Sequence, residues 1–205
     1  MLKITQTLLS AWEYTYACRE ECHEEAYHDF LNALNLVPKE KTESMMNGLL
    51  FEDEVYKEAS GIERYEHPTW ELGIMKTASI IRGGQFQVKA DRNITVAGHE
   101  FKIIGILDVL KAGTIYDIKF LNKGFHSADV VNKYLHSPQH PAYFYLVPEA
   151  YQFKYIVCDG TDIYTEPYTR KNTRHIGEII EEFVSFLKDS DLWEIYQEKW
   201  SINNA

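Results

Sequence analysis

The chain has 205 residues, 45% hydrophobic and 14% aromatic, with a formal net charge of −10 at pH 7. That length and composition suffice to bury a full core and exclude an intrinsically disordered chain. No apolar run reaches about 18 residues, so no membrane span is expected, and Met1-Leu-Lys-Ile-Thr-Gln6 lacks the apolar core of a signal peptide, which makes the cytoplasm the expected compartment.

Taken in chain order, the pattern is one continuous α/β arrangement. Ser10-Ala-Trp-Glu13 is a capping-box signal and opens a long charged helix through about Leu34. Val37-Pro-Lys-Glu-Lys41 is a connector. Asn47–Ala59 carries apolar residues at Leu49, Leu50, Val55 and Tyr56 and has Gly61 just past its end, which reads as a second helix with a C-terminal stop. Pro68 and Thr69 introduce a third helix to about Ile81, closed by Gly83-Gly84. Gln85–Lys89, Val96–Leu110 and Thr114–Leu121 read as three strands, and Ser127–Leu135 and Pro138–Val147 as helices. Phe153–Cys158 and Asp162–Tyr168 form a hairpin around Asp159-Gly160. Ile176, Ile179, Ile180, Phe183, Val184 and Leu187 make a helical stripe, and Trp193–Trp200 a final short helix. A single domain is expected: residues 1–82 a mainly helical cap, 83–170 a sheet core, and 171–205 C-terminal helices.

The informative stretch is Gly105-Ile-Leu-Asp-Val-Leu-Lys-Ala-Gly-Thr-Ile-Tyr-Asp-Ile-Lys-Phe120. Two runs rich in Ile, Leu and Val flank a short Gly-containing turn, so a hairpin is expected. Alternation along a strand puts Asp117 and Lys119 on one face and Ile118 on the other, towards the core. With Asp108 across the ladder, two carboxylates and an ammonium gather at one end of the hairpin. Carboxylate oxygens suit Mg²⁺ or Mn²⁺, while a charged lysine cannot ligate a metal but can hold a water or offset negative charge. A solvated hairpin end would carry the same residue types.

This stretch resembles the PD-(D/E)XK nuclease superfamily, whose signature is an Asp, a hairpin, then Asp or Glu, any residue, and Lys. Two further motifs occur in the family's order. Gly48-Leu-Leu-Phe-Glu52 is similar to the Gly-x-x-x-(His/Glu) helix motif of the RecB-like branch. Ser137-Pro-Gln-His-Pro-Ala-Tyr143 holds a Gln-x-x-x-Tyr pair, Gln139 and Tyr143, similar to that of RecB-like, CRISPR-adaptation and phage exonucleases. The resemblance spans Gly48 to Tyr143. It implies a restriction-endonuclease-like core, a mixed central sheet flanked by helices with an N-terminal helical cap.

The implied activity is a metal-dependent DNA nuclease that leaves 5′-phosphate and 3′-hydroxyl ends, an exonuclease of recombination or end processing, in a bacterial cell or, if phage-encoded, its host's cytoplasm. Asp108, Asp117, Glu52 and the Ile118 carbonyl would hold one or two Mg²⁺ or Mn²⁺ ions, with Lys119 beside the attacking water. Glu52 has acidic neighbours in Asp53, Glu54 and Glu58, so a solvated role reads equally from pattern alone. Gln139 and Tyr143, four apart, share a helical face and would contact DNA phosphates, brace the hairpin, or in Tyr143's case pack the core. A structure-specific or restriction-like endonuclease and a non-catalytic binding protein on the same scaffold are the alternatives.

The acidic net charge is unevenly spread. Residues 76–133 hold nine Lys and Arg against five Asp and Glu, whereas both flanking segments are acidic. Lys76, Arg82, Lys89, Arg92, Lys102, Lys123 and Lys133 are therefore the candidate phosphate contacts, some of them ordinary solvated cations. DNA is the expected partner, with a recombination or annealing protein to aid loading; a homo-oligomer is compatible with this reading. Cys18, Cys22 and Cys158 are the only cysteines, too few for a four-thiolate cluster, so no iron–sulfur centre is expected.

Overall fold

The computed structural model describes residues 1–122, 124 and 130–202. Its centre is a six-stranded mixed sheet. Strand β1 (Leu2–Thr5) leads into α1 (Gln6–Ala17); α2 (His23–Leu34), α3 (Glu43–Ser60) and α4 (Glu71–Ile81) follow. Then come β2 (Gln85–Val96), β3 (His99–Lys111), β4 (Thr114–Phe120), α5 (Gln139–Leu146), β5 (Gln152–Cys158), β6 (Ile163–Thr169), α6 (Ile176–Asp189) and α7 (Trp193–Trp200).

Strand β3 organises the sheet. It pairs antiparallel with β2 from Gln85↔Leu110 to Val96↔His99, interrupted at one rung, Gln87 and Asp108. Its other edge is shared. β1 runs parallel to Phe101–Ile104, and β4 runs antiparallel to Val109–Lys111. Between those partners, residues 105–108 have no strand on that edge among the described residues. Helix α5 covers the gap: Tyr143 donates its hydroxyl to the Ile106 carbonyl at 2.7 Å. Gly105 makes this approach possible, because a Cβ there would lie 2.8 Å from both Tyr143 and Leu146 side-chain carbons. β4 and β5 are parallel, joined through α5, and β5 and β6 are antiparallel.

Two apolar layers sandwich the sheet. One gathers α1, α2, α5, α6 and α7, with Leu8, Trp12, Phe30, Tyr143, Phe183 and Tyr196 at its heart. The other gathers Phe51, Val55, Ile74 and Ile81 of α3 and α4 against Val109, Ile118, Ile156 and Cys158. The two tight turns Ala97-Gly98 and Ala112-Gly113 have φ of 49°, 77°, 47° and 73°. Positive φ at both central residues is what a two-residue hairpin with matching twist requires.

The structure adds detail to the N-terminal third. Residues 1–82 are mainly helical, as expected, but they also supply β1 to the sheet, and α1 and α2 belong to the larger core layer. The helix starts at Gln6, not Ser10, because Thr5 Oγ1 accepts the Leu8 N–H. Ser10 sits within the helix and accepts from Gln6 Nε2 at 2.8 Å. The single long helix is two, separated by a short 3₁₀ turn at Glu20–Cys22. The first strand runs on to Val96 rather than ending at Lys89. The expected helix Ser127–Leu135 lies partly outside the described residues, and residues 131–136 form turns. α3 ends where expected, with Gly61 in the left-handed region at φ 68°. Among the described residues, no helix is long and apolar enough to cross a membrane.

Candidate active site

The site forms where β3 and β4 part. The last ladder pair on that side is Val109↔Tyr116. One step further, Asp108 inserts its carboxylate between the strands, and Oδ2 accepts the Ile118 N–H at 2.9 Å. A side chain thus takes the place of a backbone carbonyl in the ladder. Asp117, 1% exposed, points into the larger layer, while Ile118 points into the smaller one. Lys119 returns to the Asp117 face, with Nζ 2.6 Å from Asp117 Oδ2 and a third of its side-chain surface in solvent. α5 reaches this face from the gap: Gln139 Nε2 donates to Asp117 Oδ1 in a short hydrogen bond.

Glu52 arrives from α3. Phe51 and Val55, on the same helix, are fully buried in the smaller layer and fix the helix against the sheet. Tyr56, one turn on, donates its hydroxyl to Glu52 Oε1 at 2.5 Å and lies 3.3 Å from the Asp108 carbonyl. Gln87 Nε2 of β2 donates to the same Glu52 oxygen at 2.7 Å and to the Tyr56 oxygen at 2.9 Å.

A common pattern emerges. Each carboxylate has one oxygen fixed by protein donors: Glu52 Oε1, Asp108 Oδ2 and Asp117 Oδ1. Asp117 Oδ2 faces the Lys119 ammonium, and Glu52 Oε2 and Asp108 Oδ1 have no protein donor among the described residues. Outer donors of this kind orient a ligand and leave its other oxygen available; that holds for Glu52 Oε2 and Asp108 Oδ1, while Asp117 Oδ2 is paired with Lys119.

Electrostatics bind the three groups together. Burial pushes the Asp108 carboxyl well above the usual range, and the charges of Asp117 and Glu52 push it further. Glu52 is raised too, by burial first; the Tyr56 hydrogen bond opposes this and the Asp117 charge adds to it. For Lys119, burial works against the charged form, but Asp117 and Asp108 outweigh it and hold the ammonium protonated. A buried group of mutually repelling carboxylates is relieved by a cation. The donor set therefore fits a hard divalent ion in chemistry and charge. No group of three His, Cys, Asp or Glu side chains is gathered at metal-holding geometry among the described residues.

The structure brings Glu52, Asp108, Asp117, Lys119 and Gln139 to one place. Ile118 contributes its N–H to Asp108. Gln139 and Tyr143 are buried, at 5% and 4% exposure: Gln139 contacts Asp117 of β4, and Tyr143 contacts the Ile106 carbonyl of β3 and packs in the larger layer. Lys89 is exposed on β2, two residues from Gln87. Arg82 lies off the site, near Glu58 at 3.5 Å. Lys76 and Lys102 are paired with Asp162 and Asp91, and Arg92 holds the Tyr145 carbonyl. Lys123 lies outside the described residues. Tyr56 and Gln87 were not read as site residues from the sequence. Tyr56 had a signal, since it stands four residues after Glu52 on a helix; Gln87 had none.

No family model and no curated protein matches the chain by sequence. Solved structures match it by fold. The crystal structure of the exonuclease LHK-Exo in complex with dAMP shares 12% identity at a TM-score of 0.52, covering 96% of this chain and 92% of that one. The fold is restriction-endonuclease-like. The crystal structure of SSO0001 matches at the same TM-score with 15% identity, covering 91% of this chain and 77% of that one. At these identities the likeness concerns the fold alone, a mixed sheet flanked by helices.

Proposed function

We propose that this chain is a metal-dependent deoxyribonuclease, and that it acts as an exonuclease in recombination or DNA end processing. The observation that carries this is the trio of carboxylates, each anchored through one oxygen, beside a charged lysine at the split between β3 and β4. Support comes also from the fold, since LHK-Exo holds dAMP, a mononucleotide of the kind an exonuclease releases.

Asp108, Asp117, Glu52 and the Ile118 carbonyl would hold one or two Mg²⁺ or Mn²⁺ ions. Such an ion supplies a more acidic water and neutralises charge on the reacting phosphate. The protein's own groups do the rest. Gln139, Tyr56, Gln87 and the Ile118 N–H keep the carboxylates aimed. Lys119, charged and partly solvent-facing, orients the attacking water or offsets charge as the phosphodiester oxygens become more negative. Cleavage on this scheme leaves a 5′-phosphate and a 3′-hydroxyl. Lys89, exposed on β2 two residues from Gln87, would meet a DNA phosphate. An annealing or recombination protein would aid loading on this acidic chain.

Matched linear and covalently closed circular DNA, incubated with Mg²⁺, Mn²⁺ or EDTA, test the reading. Metal-dependent loss of the linear form alone is expected. Cutting of the circle as well assigns an endonuclease, and no cleavage of either by folded protein assigns a non-catalytic DNA-binding role.

A further inference from the structure

Gln87 is the one non-glycine residue with positive φ, 51°, inside a strand among the described residues. The others sit in turns and loops. The left-handed region strains a side chain such as Gln. Gln87 also stands opposite Asp108: the ladder runs Phe86↔Val109 and Val88↔Leu107, and the intervening pair is missing from it. So the strained residue and the first carboxylate interrupt the same rung.

A structural cause for the strain is available. Phe86 and Val109 pack in the α3–α4 layer, whereas Val88 and Leu107 pack in the opposite layer. The β2–β3 ribbon changes sides at the Gln87–Asp108 rung, and a backbone irregularity can serve that bend alone. Glycine or asparagine would serve it with less strain. The residue present is instead a long amide whose Nε2 meets Glu52 Oε1 and the Tyr56 oxygen at 2.7 and 2.9 Å. Tyr56 is itself stacked on the neighbouring Phe86, with ring centroids 5.0 Å apart.

We infer that Gln87 is a positioning residue: its strained backbone aims the side-chain amide at Glu52 Oε1, fixing that oxygen and leaving Oε2 without a protein donor among the described residues. It does for Glu52 what Gln139 does for Asp117. The inference rests on the nuclease reading in taking Glu52 as a cation ligand. It adds a residue from a strand outside the three sequence motifs, and it makes the β2 irregularity part of the site.

The test is Mn²⁺ binding to the full chain, followed by the loss of the free-ion electron paramagnetic resonance signal, alongside thermal melting and DNA cleavage. Gln87→Gly and Gln87→Asn both accept positive φ readily, and neither can reach Glu52. Both are expected to melt no lower than wild type, to bind Mn²⁺ about tenfold more weakly or worse, and to cleave more slowly. Unchanged Mn²⁺ affinity in stable variants overturns the inference, because the strain then serves the bend alone. A marked drop in melting temperature in both variants also overturns it, because Gln87 is then a structural residue. Wild-type protein that binds no Mn²⁺ overturns the inference together with the cation reading. Wild type that binds Mn²⁺ yet cleaves no DNA overturns the nuclease reading alone, and the variants' affinities still decide the role of Gln87.

Discussion

Gln139 Nε2 and Lys119 Nζ hold the two oxygens of Asp117 separately, one from α5 and one from β4. The carboxylate is buried and its setting depends on both donors. Gln139→Ala removes one of them and leaves a buried oxygen without a partner. Cleavage, or Mn²⁺ affinity, is expected to fall about 10- to 100-fold, with the fold retained by circular dichroism. An unchanged rate would remove Gln139 from the site's support.

The α5 helix depends on Gly105 for its place. An added methyl would meet Tyr143 and Leu146 at 2.8 Å, and the Tyr143 hydroxyl is already committed to the Ile106 carbonyl. Gly105→Ala is expected to destabilise the protein by about 1–3 kcal/mol and to slow cleavage, since Gln139 rides on the same helix. Denaturant melts and rates measured below the transition check both effects.

Acid stability should report His140. Burial pulls its imidazole down to about 3 from an ordinary value near 6.5. The unfolded chain binds a proton that the folded chain refuses, so stability falls as pH drops from about 6.5 towards 3. The effect reaches about 2 kcal/mol by pH 5. His140→Gln is expected to flatten this limb in urea melts at successive pH values.

Glu13 slopes the other way. Burial raises its carboxyl to about 7; nearby Arg174 opposes the shift and Glu182 adds to it. The folded state keeps a proton that the unfolded state has released above about 4.5, so this contribution is lost as pH rises through 7. Allowing for its partial solvent contact, Glu13→Gln is expected to gain about 1 kcal/mol at pH 8, or roughly 2–4 °C in melting temperature. The gain should vanish near pH 5.

Patterns carried by many residues were legible in the sequence, and features carried by single groups were not. The β3–β4 hairpin, the Ile176 stripe and the Gly61 stop each rest on repeated apolar spacing or on glycine's conformational freedom, and each stands as read. β1 was missed because four residues are too few to show alternation. Ser10 and Glu13 have capping-box spacing yet lie inside α1, since Thr5 supplies the cap first. The break after α1 carries no glycine or proline to mark it. Within the site, the order of the motifs brought Glu52, Asp108, Asp117, Lys119 and Gln139 into view. Gln87 stayed hidden, because its role depends on a backbone angle that a glutamine does not announce.

The central claim is that the carboxylates at the β3–β4 split carry metal-dependent DNA cleavage. Its most direct test is Asp117→Asn, which keeps the side chain's size while removing its charge, assayed on linear DNA with Mg²⁺ or Mn²⁺ beside wild type and a melting curve of each. The account predicts wild-type cleavage abolished by EDTA, and a folded variant slower by about a thousandfold or more. Substantial metal-dependent cleavage by the Asp117→Asn protein would contradict it.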